Sequence, residues 1–401
     1  MTFFRTTNTL LTMKIPAEFD SIRPFEPEEL PRAVESLLAD PQFLAVAKQV
    51  YPGYGANELR QIFQTCPDNL AVQKTLFRPL LEQLEQKCCT ELTADFSALP
   101  EKRGGYAFVS NHRDIVMDSA FLALLLLRDG FPTTMEIAIG DNLLIYPWIR
   151  TLVRINKSFV VQRSVTLRQR LESSRLMSRY MHYVITCKQD NLWIAQREGR
   201  SKDNTDRTQD AVLKMMAMGG EGLTPQESLR ALHLVPLCIS YEYDPCDALK
   251  AAELQQRRDN PRFSKQPADD LRSMQTGIFG YKGRVSYIAA PPADTWLDEY
   301  AGLGKAAFFE AVARRIDREI HLRYRLYPGN YAAADMLEGG SRFAERYTAS
   351  ERHDFERYVA DRISAVSLPG KDEAFLRHTL LTMYANPLYN HLRAAADAAG
   401  A

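Results

Sequence analysis

The sequence of 401 residues contains six cysteines, Cys66, Cys88, Cys89, Cys187, Cys238 and Cys246, but no CxxC pair and no histidines clustered beside them. That spacing argues against a structural zinc site or a disulfide framework and fits a reducing compartment. Long apolar runs are missing too: the longest, Ala120 to Leu127, ends after eight residues at Arg128, whereas a membrane-spanning helix needs about twenty. The first residues lack the sustained apolar core and small-residue cleavage site of a secretory signal, so a cytoplasmic protein is expected. Gly and Pro number only 20 and 21, which excludes collagen-like and low-complexity organisation. Charge of one sign is not in excess, with 50 basic against 50 acidic residues, so affinity for phosphate or a membrane has to come from a local patch; nucleic acid is not an expected partner. What is present is an ordinary globular mixture, 45% hydrophobic and 25% charged, able to bury a large core.

Residues from about 27 to 100 read as helices, through PEELPRAVESLLADPQFLAVAKQV, NELRQIFQ and the stretch Asn69 to Lys87, with apolar residues three and four apart. From Gly105 short apolar runs alternate with helical patterns: YAFVSN, TTMEIAIG, SFVVQR, LWIAQR, LHLVPLCIS and RVSYIAA. This alternation predicts an α/β fold, a mostly parallel central sheet flanked by helices, over residues 101–292. A helical N-terminal region, 1–100, and a helical C-terminal region, 293–401, flank it. VTLRQRLESSRLMSRYMHYVI reads as a crossover helix with Leu167, Leu171, Tyr180, Met181, Val184 and Ile185 near one face. The polar stretch from Gln255 to Gly277 shows neither period and reads as a mobile loop.

Four segments carry chemistry. VSNHRDIVMDSAFLALLLL places His112 where a strand meets a helix, with Asp114 and Asp118 behind it. A neutral imidazole there can take a proton from a hydroxyl while a carboxylate fixes its tautomer; a satisfied loop histidine beside a capping aspartate is the plainer alternative. GDNLLIYPWIRTLVRINKSFVVQRS opens a basic stretch: between Arg150 and Arg179 lie eight basic residues and one acidic, Glu172. Together with Tyr146 and Trp148 it suits an anionic lipid or carrier surface, or is simply a solvated helix face. LWIAQREGRSKDNTDRTQD runs from a strand into a turn with Arg197, Arg200 and Lys202 around Glu198 and Gly199, where guanidinium forks, a close backbone and a helix beginning near Asp206 could hold phosphate. In HLVPLCISYEYDPCD, Pro236 argues that a strand begins or is irregular at that point.

In this order and spacing, the four segments resemble the conserved blocks of the glycerol-3-phosphate/lysophosphatidate acyltransferase family. The family's first block is His, four residues, then Asp. NHRDIVMDSAFL is similar but has five residues between His112 and Asp118, and the match beyond the second aspartate favours Asp118 over Asp114. The second block is similar to Gly140–Leu143 and Phe159–Arg163, with Gln162 replacing an arginine. The third is similar to Glu198, Gly199, Arg200 and Ser201 with one residue fewer, and the fourth to Val235, Pro236 and Leu237. The likeness spans about residues 105 to 245 and is nearest a bacterial subgroup. It implies transfer of a fatty acyl chain from an acyl-carrier-protein or coenzyme A thioester to a hydroxyl of glycerol 3-phosphate or lysophosphatidate in phospholipid biosynthesis, without metal or bound cofactor. The protein would then be peripheral to the inner face of the membrane. His112 becomes the general base oriented by Asp118; Arg163, Glu198, Gly199 and Arg200 hold the acceptor phosphate; Asn111 or Asp114 supports the oxyanion or the base. A metal-dependent phosphohydrolase using His112, Asp114 and Asp118, or a silent lipid-binding relative, are the competing expectations.

Overall fold

The computed structural model describes residues 14–162 and 167–400, without the side chains of Leu167 and Arg168. Asp40 accepts from the backbone N–H groups of Gln42 and Phe43, and Pro41 follows it, so the first helical pattern is cut in two: α1 (Leu30–Leu38) and α2 (Pro41–Val50). After α3 (Ala56–Gln64), α4 (Asn69–Val72) continues through a π-helical turn into α5 (Arg78–Cys88). The helical reading of this region stops short of 100. The chain goes directly into β1 (Cys89–Asp95), which none of the apolar runs had marked. Its residues CTELTAD carry little apolar signal because β1 is an edge strand, paired on one side only, with no fully buried residue.

The remaining strands are β2 (Ala107–Ser110), β3 (Met135–Gly140), β4 (Ser158–Val161), β5 (Asn191–Ala195), β6 (Leu234–Tyr241) and β7 (Gly283–Ala289). They form one seven-stranded sheet in the order β1-β7-β6-β2-β5-β3-β4. All pairings are parallel except β6 with β7, so the chain has the expected mostly parallel α/β architecture. Helices α6 (Met117–Arg128), α7 (Pro147–Ile155) and α8 (Leu167–Thr186) connect the strands from β2 to β5 in turn, and α9 (Asp210–Met216) and α10 (Pro225–Ala231) lead to β6. The segment Gln255–Gly277 is not a loop. It contains the end of α11 (Asp247–Asp259) and most of α12 (Pro267–Phe279), joined by a seven-residue link. The end of α11 in this segment has no apolar residue, and Leu271, Met274 and Ile278 of α12 line a cavity, which is why no continuous stripe is readable. A helical C-terminal region follows: α13 (Lys305–Leu322), α14 (Pro328–Glu338), α15 (Ala349–Ser364) and α16 (Glu373–Ala399).

Alternation along β2 divides the core. Ala107 and Val109 pack toward α8 and α13, and Phe108 toward α5 and α6. Tyr180, Met181, Val184 and Ile185 of α8 are buried as the helical spacing requires, but Leu171, counted near that face, is 48% exposed. Pro236 lies inside a fully buried strand, against the expectation of an irregular one. In a strand the N–H and C=O of one residue point to the same side. The Pro236 carbonyl accepts from Ala290, and β7 pairs with β6 only up to Leu237–Ala289, so the missing donor faces the end of a neighbour and breaks no ladder bond. Replacing Phe159, fully buried against the Tyr180 ring, with alanine is expected to cost about 3–5 kcal/mol in urea unfolding. Leu171→Ala is expected to stay within about 0.5 kcal/mol of wild type.

Candidate active site

Residue 111 leaves the carboxyl end of β2, a central strand, and the next residues turn into α6. In that turn the Nδ1 of His112 lies 2.8 Å from the Asp118 Oδ2. The same oxygen accepts the backbone N–H groups of Arg113 at 2.7 Å and Asp114 at 3.0 Å. Asp118 is fully buried and therefore acts as the fixed end of the pair, and a ring that donates from Nδ1 keeps the Nε2 lone pair for chemistry. The edge of Trp193 meets the imidazole at a centroid distance of 5.7 Å. Asp114 plays a different part, since its Oδ1 accepts the backbone N–H groups of Val116 and Met117 and so starts α6. Burial, with Asp118 beside it, raises its pKa above the usual carboxylate range. Gly277 of α12 sits directly on its other oxygen; a Cβ there would come within 1.9 Å of Oδ2.

The Asn111 side chain bonds within the protein. Its Nδ2 donates to the Ile239 carbonyl at 2.8 Å and to Asp206, and its Oδ1 accepts the Ile239 N–H, so the side chain clamps this turn to β6. Neighbouring Arg113 forms a fork with Asp206, at 3.0 and 2.6 Å, and also donates to Asn204. Both members are buried. Burial opposes the charge on Asp206, but Arg113 and a bond from the Tyr324 hydroxyl hold its pKa below the usual range. No helix begins at Asp206; α9 starts at Asp210, and the segment before it serves as the second half of this clamp.

The turn after β5 stands beside the His112 turn, linked by the Ser201 N–H to the His112 carbonyl. Gly199 has φ +69°, a conformation that favours glycine. Arg200 is buried and its Nη1 has no protein partner. Burial works against its charge, but Cys246, Asp114 and Asp244 around it outweigh that and raise its pKa. Arg163 lies outside the described residues. The basic stretch is not one surface: Lys157 is buried against Asp190, Arg154 donates to the Arg23 and Asp20 carbonyls, and Arg179 pairs with Glu18.

His112, Glu198, Gly199 and Arg200 all open onto one cavity of about 1390 Å³, larger than the usual range for a small-molecule pocket. One arm is apolar, walled by Leu80 and Leu84 of α5, Ala120 and Leu124 of α6, and Met274 and Ile278 of α12. Tyr146 and Trp148, stacked with their planes 7° apart, also line it. The other end is polar and rich in cations, with Arg197, Arg200, Lys202, Arg257 and Lys265 against Glu198, Glu253 and Asp270. Among the described residues no group of three or more His, Cys, Asp or Glu side chains is placed to hold a metal ion.

Residues 93–240 match the Acyltransferase family model. This acyltransferase region runs from within β1 to β6, just over a third of the chain, and holds the His112–Asp118 pair and the Glu198–Arg200 turn. No curated protein matches the chain. The structure of the 1-acyl-sn-glycerophosphate (LPA) acyltransferase PlsC from Thermotoga maritima is similar at 13% identity, with a TM-score of 0.39, covering 72% of this chain and 95% of that one. Outside the acyltransferase region, α11 and α12 still supply one wall of the cavity. Sequence reasoning missed this wall, and it missed Arg113 and Asp206, which are 93 positions apart and share no motif. Arg113→Met is expected to cost about 3–5 kcal/mol in chemical denaturation, because it leaves Asp206 a buried charge without its cation.

Proposed function

We propose that the protein is an O-acyltransferase that moves a fatty acyl chain from an acyl-carrier-protein or coenzyme A thioester to a hydroxyl of glycerol 3-phosphate or lysophosphatidate in phospholipid biosynthesis. The observation that carries this reading is the His112–Asp118 pair opening onto a cavity that is apolar at one end and cationic at the other. In this mechanism the Nε2 of His112 takes the proton from the acceptor hydroxyl as its oxygen attacks the thioester carbonyl. Asp118 holds the ring and stabilises the imidazolium. Collapse of the tetrahedral intermediate breaks the carbon–sulfur bond, the thiolate leaves, and the imidazolium returns the proton to sulfur. No acyl-enzyme is formed, because the acceptor itself supplies the nucleophile. Arg200, with Glu198 and Gly199 shaping its turn, holds the acceptor phosphate and sets the hydroxyl near the thioester. Arg163 remains part of the proposed phosphate set from the sequence likeness alone.

The apolar arm takes the acyl chain. Phe279, 61% exposed, and Val46 both border the cavity and reach its outside. They suit a mouth turned to the acyl-chain boundary of a membrane, and Tyr281 is exposed close by in sequence. On that mouth and the family likeness we place the enzyme in the cytoplasm, peripheral to the inner face of the membrane. No helix among the described residues is long and apolar enough to cross a membrane.

The test is transfer of labelled acyl chains from both donors to glycerol 3-phosphate and lysophosphatidate. His112→Ala is expected to lower the rate by about 10²–10⁴-fold while the protein stays folded; a wild-type rate in that variant overturns the reading. Phe279→Ser is expected to weaken cosedimentation with anionic lipid vesicles severalfold, and unchanged cosedimentation counts against the mouth as the membrane-facing side.

A further inference from the structure

The cationic end of the cavity contains a carboxylate that the proposed reaction does not use. Glu253, on α11, is buried, and its two oxygens are divided among three cations. Oε2 accepts from the Lys202 Nζ at 2.5 Å and lies 3.8 Å from Lys265; Oε1 faces Arg257 at 3.0 Å. Lys265 has a second partner in Asp270 at 2.5 Å. Lys202 follows Arg200 by two residues on the turn that opens into the cavity, and Glu253 is its carboxylate partner. The strongest anion contact of Lys202 is thus made by the protein, at the place where an acceptor phosphate would make it.

We infer that Glu253 is a built-in counter-ion for Lys202, which keeps that ammonium charged and holds it back from the cavity until an anionic headgroup displaces the carboxylate. This inference rests on the reading of the Arg200 turn as an anion site. The charged groups around Lys202 are Arg200 and Asp203 on its own loop, Glu253 and Arg257 on α11, Lys265 in the link, and Asp270 on α12. Burial pulls the pKa of Lys202 down to about 8, helped by Arg200 and Lys265, and the bond from Glu253 opposes that fall. Glu253 therefore has two opposite effects on an incoming anion. It competes for the ammonium, which weakens binding, and it keeps the ammonium protonated, which extends binding to higher pH. A specificity follows: an anion with two charges competes with a carboxylate better than one with a single charge.

Sulfate, a dianion throughout the range, titrated calorimetrically into the full-length protein between pH 6 and 9 separates the two effects. The charged form of Lys202 is the binding form, so wild-type affinity is expected to hold at low pH and fall as pH rises through about 8. Glu253→Gln is expected to bind sulfate about fivefold more tightly at pH 6 and to lose it at least one pH unit earlier, so that the two curves cross. Glu253→Asp keeps the charge and should restore the wild-type fall-off. Lys202→Met should bind weakly with no fall-off near pH 8, with or without Glu253. A Glu253→Gln curve that falls off at the wild-type pH overturns the counter-ion role alone, and so does loss of the wild-type fall-off in Glu253→Asp. No sulfate binding by wild type would overturn the anion site as well.

Discussion

The guanidinium of Arg113 is buried within the fold, and its carboxylate partner is Asp206. A buried ion pair of this kind adds little net stability, because desolvation consumes most of the attraction, but it is unforgiving of misplacement. Here that intolerance determines where chemistry can happen. Arg113 directly follows His112, and Asp206 closes the loop that begins with Arg200. The Tyr324 hydroxyl, from just beyond α13, completes the Asp206 shell, and Asn390 of α16 donates to the carbonyls of Asn204 and Thr205. The ends of two parallel strands are thus joined by one ion pair, and the helical C-terminal region is joined to it by hydrogen bonds from neutral donors.

Legibility from sequence followed the range of the forces involved. The strands β2 to β7 announce themselves because each is a short apolar run whose burial is decided locally, and the His112 turn is legible because His112 and Asp118 lie only six positions apart. The sequence likeness favours Asp118 over Asp114, and geometry shows how the two differ: both are buried, Asp118 bonds the ring, and Asp114 starts a helix. β1 escaped notice because an edge strand need not be apolar. α11 escaped because its core contacts are small alanines, Ala248 and Ala251, and α12 because a helix lining a cavity shows less of the stripe that a helix on a core must show. The basic run between Arg150 and Arg179 misled in the opposite sense, since linear charge density does not say that Lys157 points inward to Asp190.

The cavity is assembled from two sources with different physical demands. The region that matches the acyltransferase model brings His112, Arg200 and part of the apolar wall, all on segments anchored at strand ends. The insertion between β6 and β7 brings the opposing wall and most of the compensating charge. A strand pair that turns back antiparallel makes this possible, because the chain leaves β6 at the same edge of the sheet from which His112 projects and must return along β7.

At Gly277 these two sources touch without any intervening atom. The α12 backbone rests on the carboxylate of Asp114, leaving no room even for a methyl group. Since Asp114 starts the helix whose second residue is Asp118, the helix that lines the apolar arm and the side chain that steadies the imidazole share one rigid contact. A shift of α12 that widened or narrowed the pocket would therefore bear directly on the turn that holds His112.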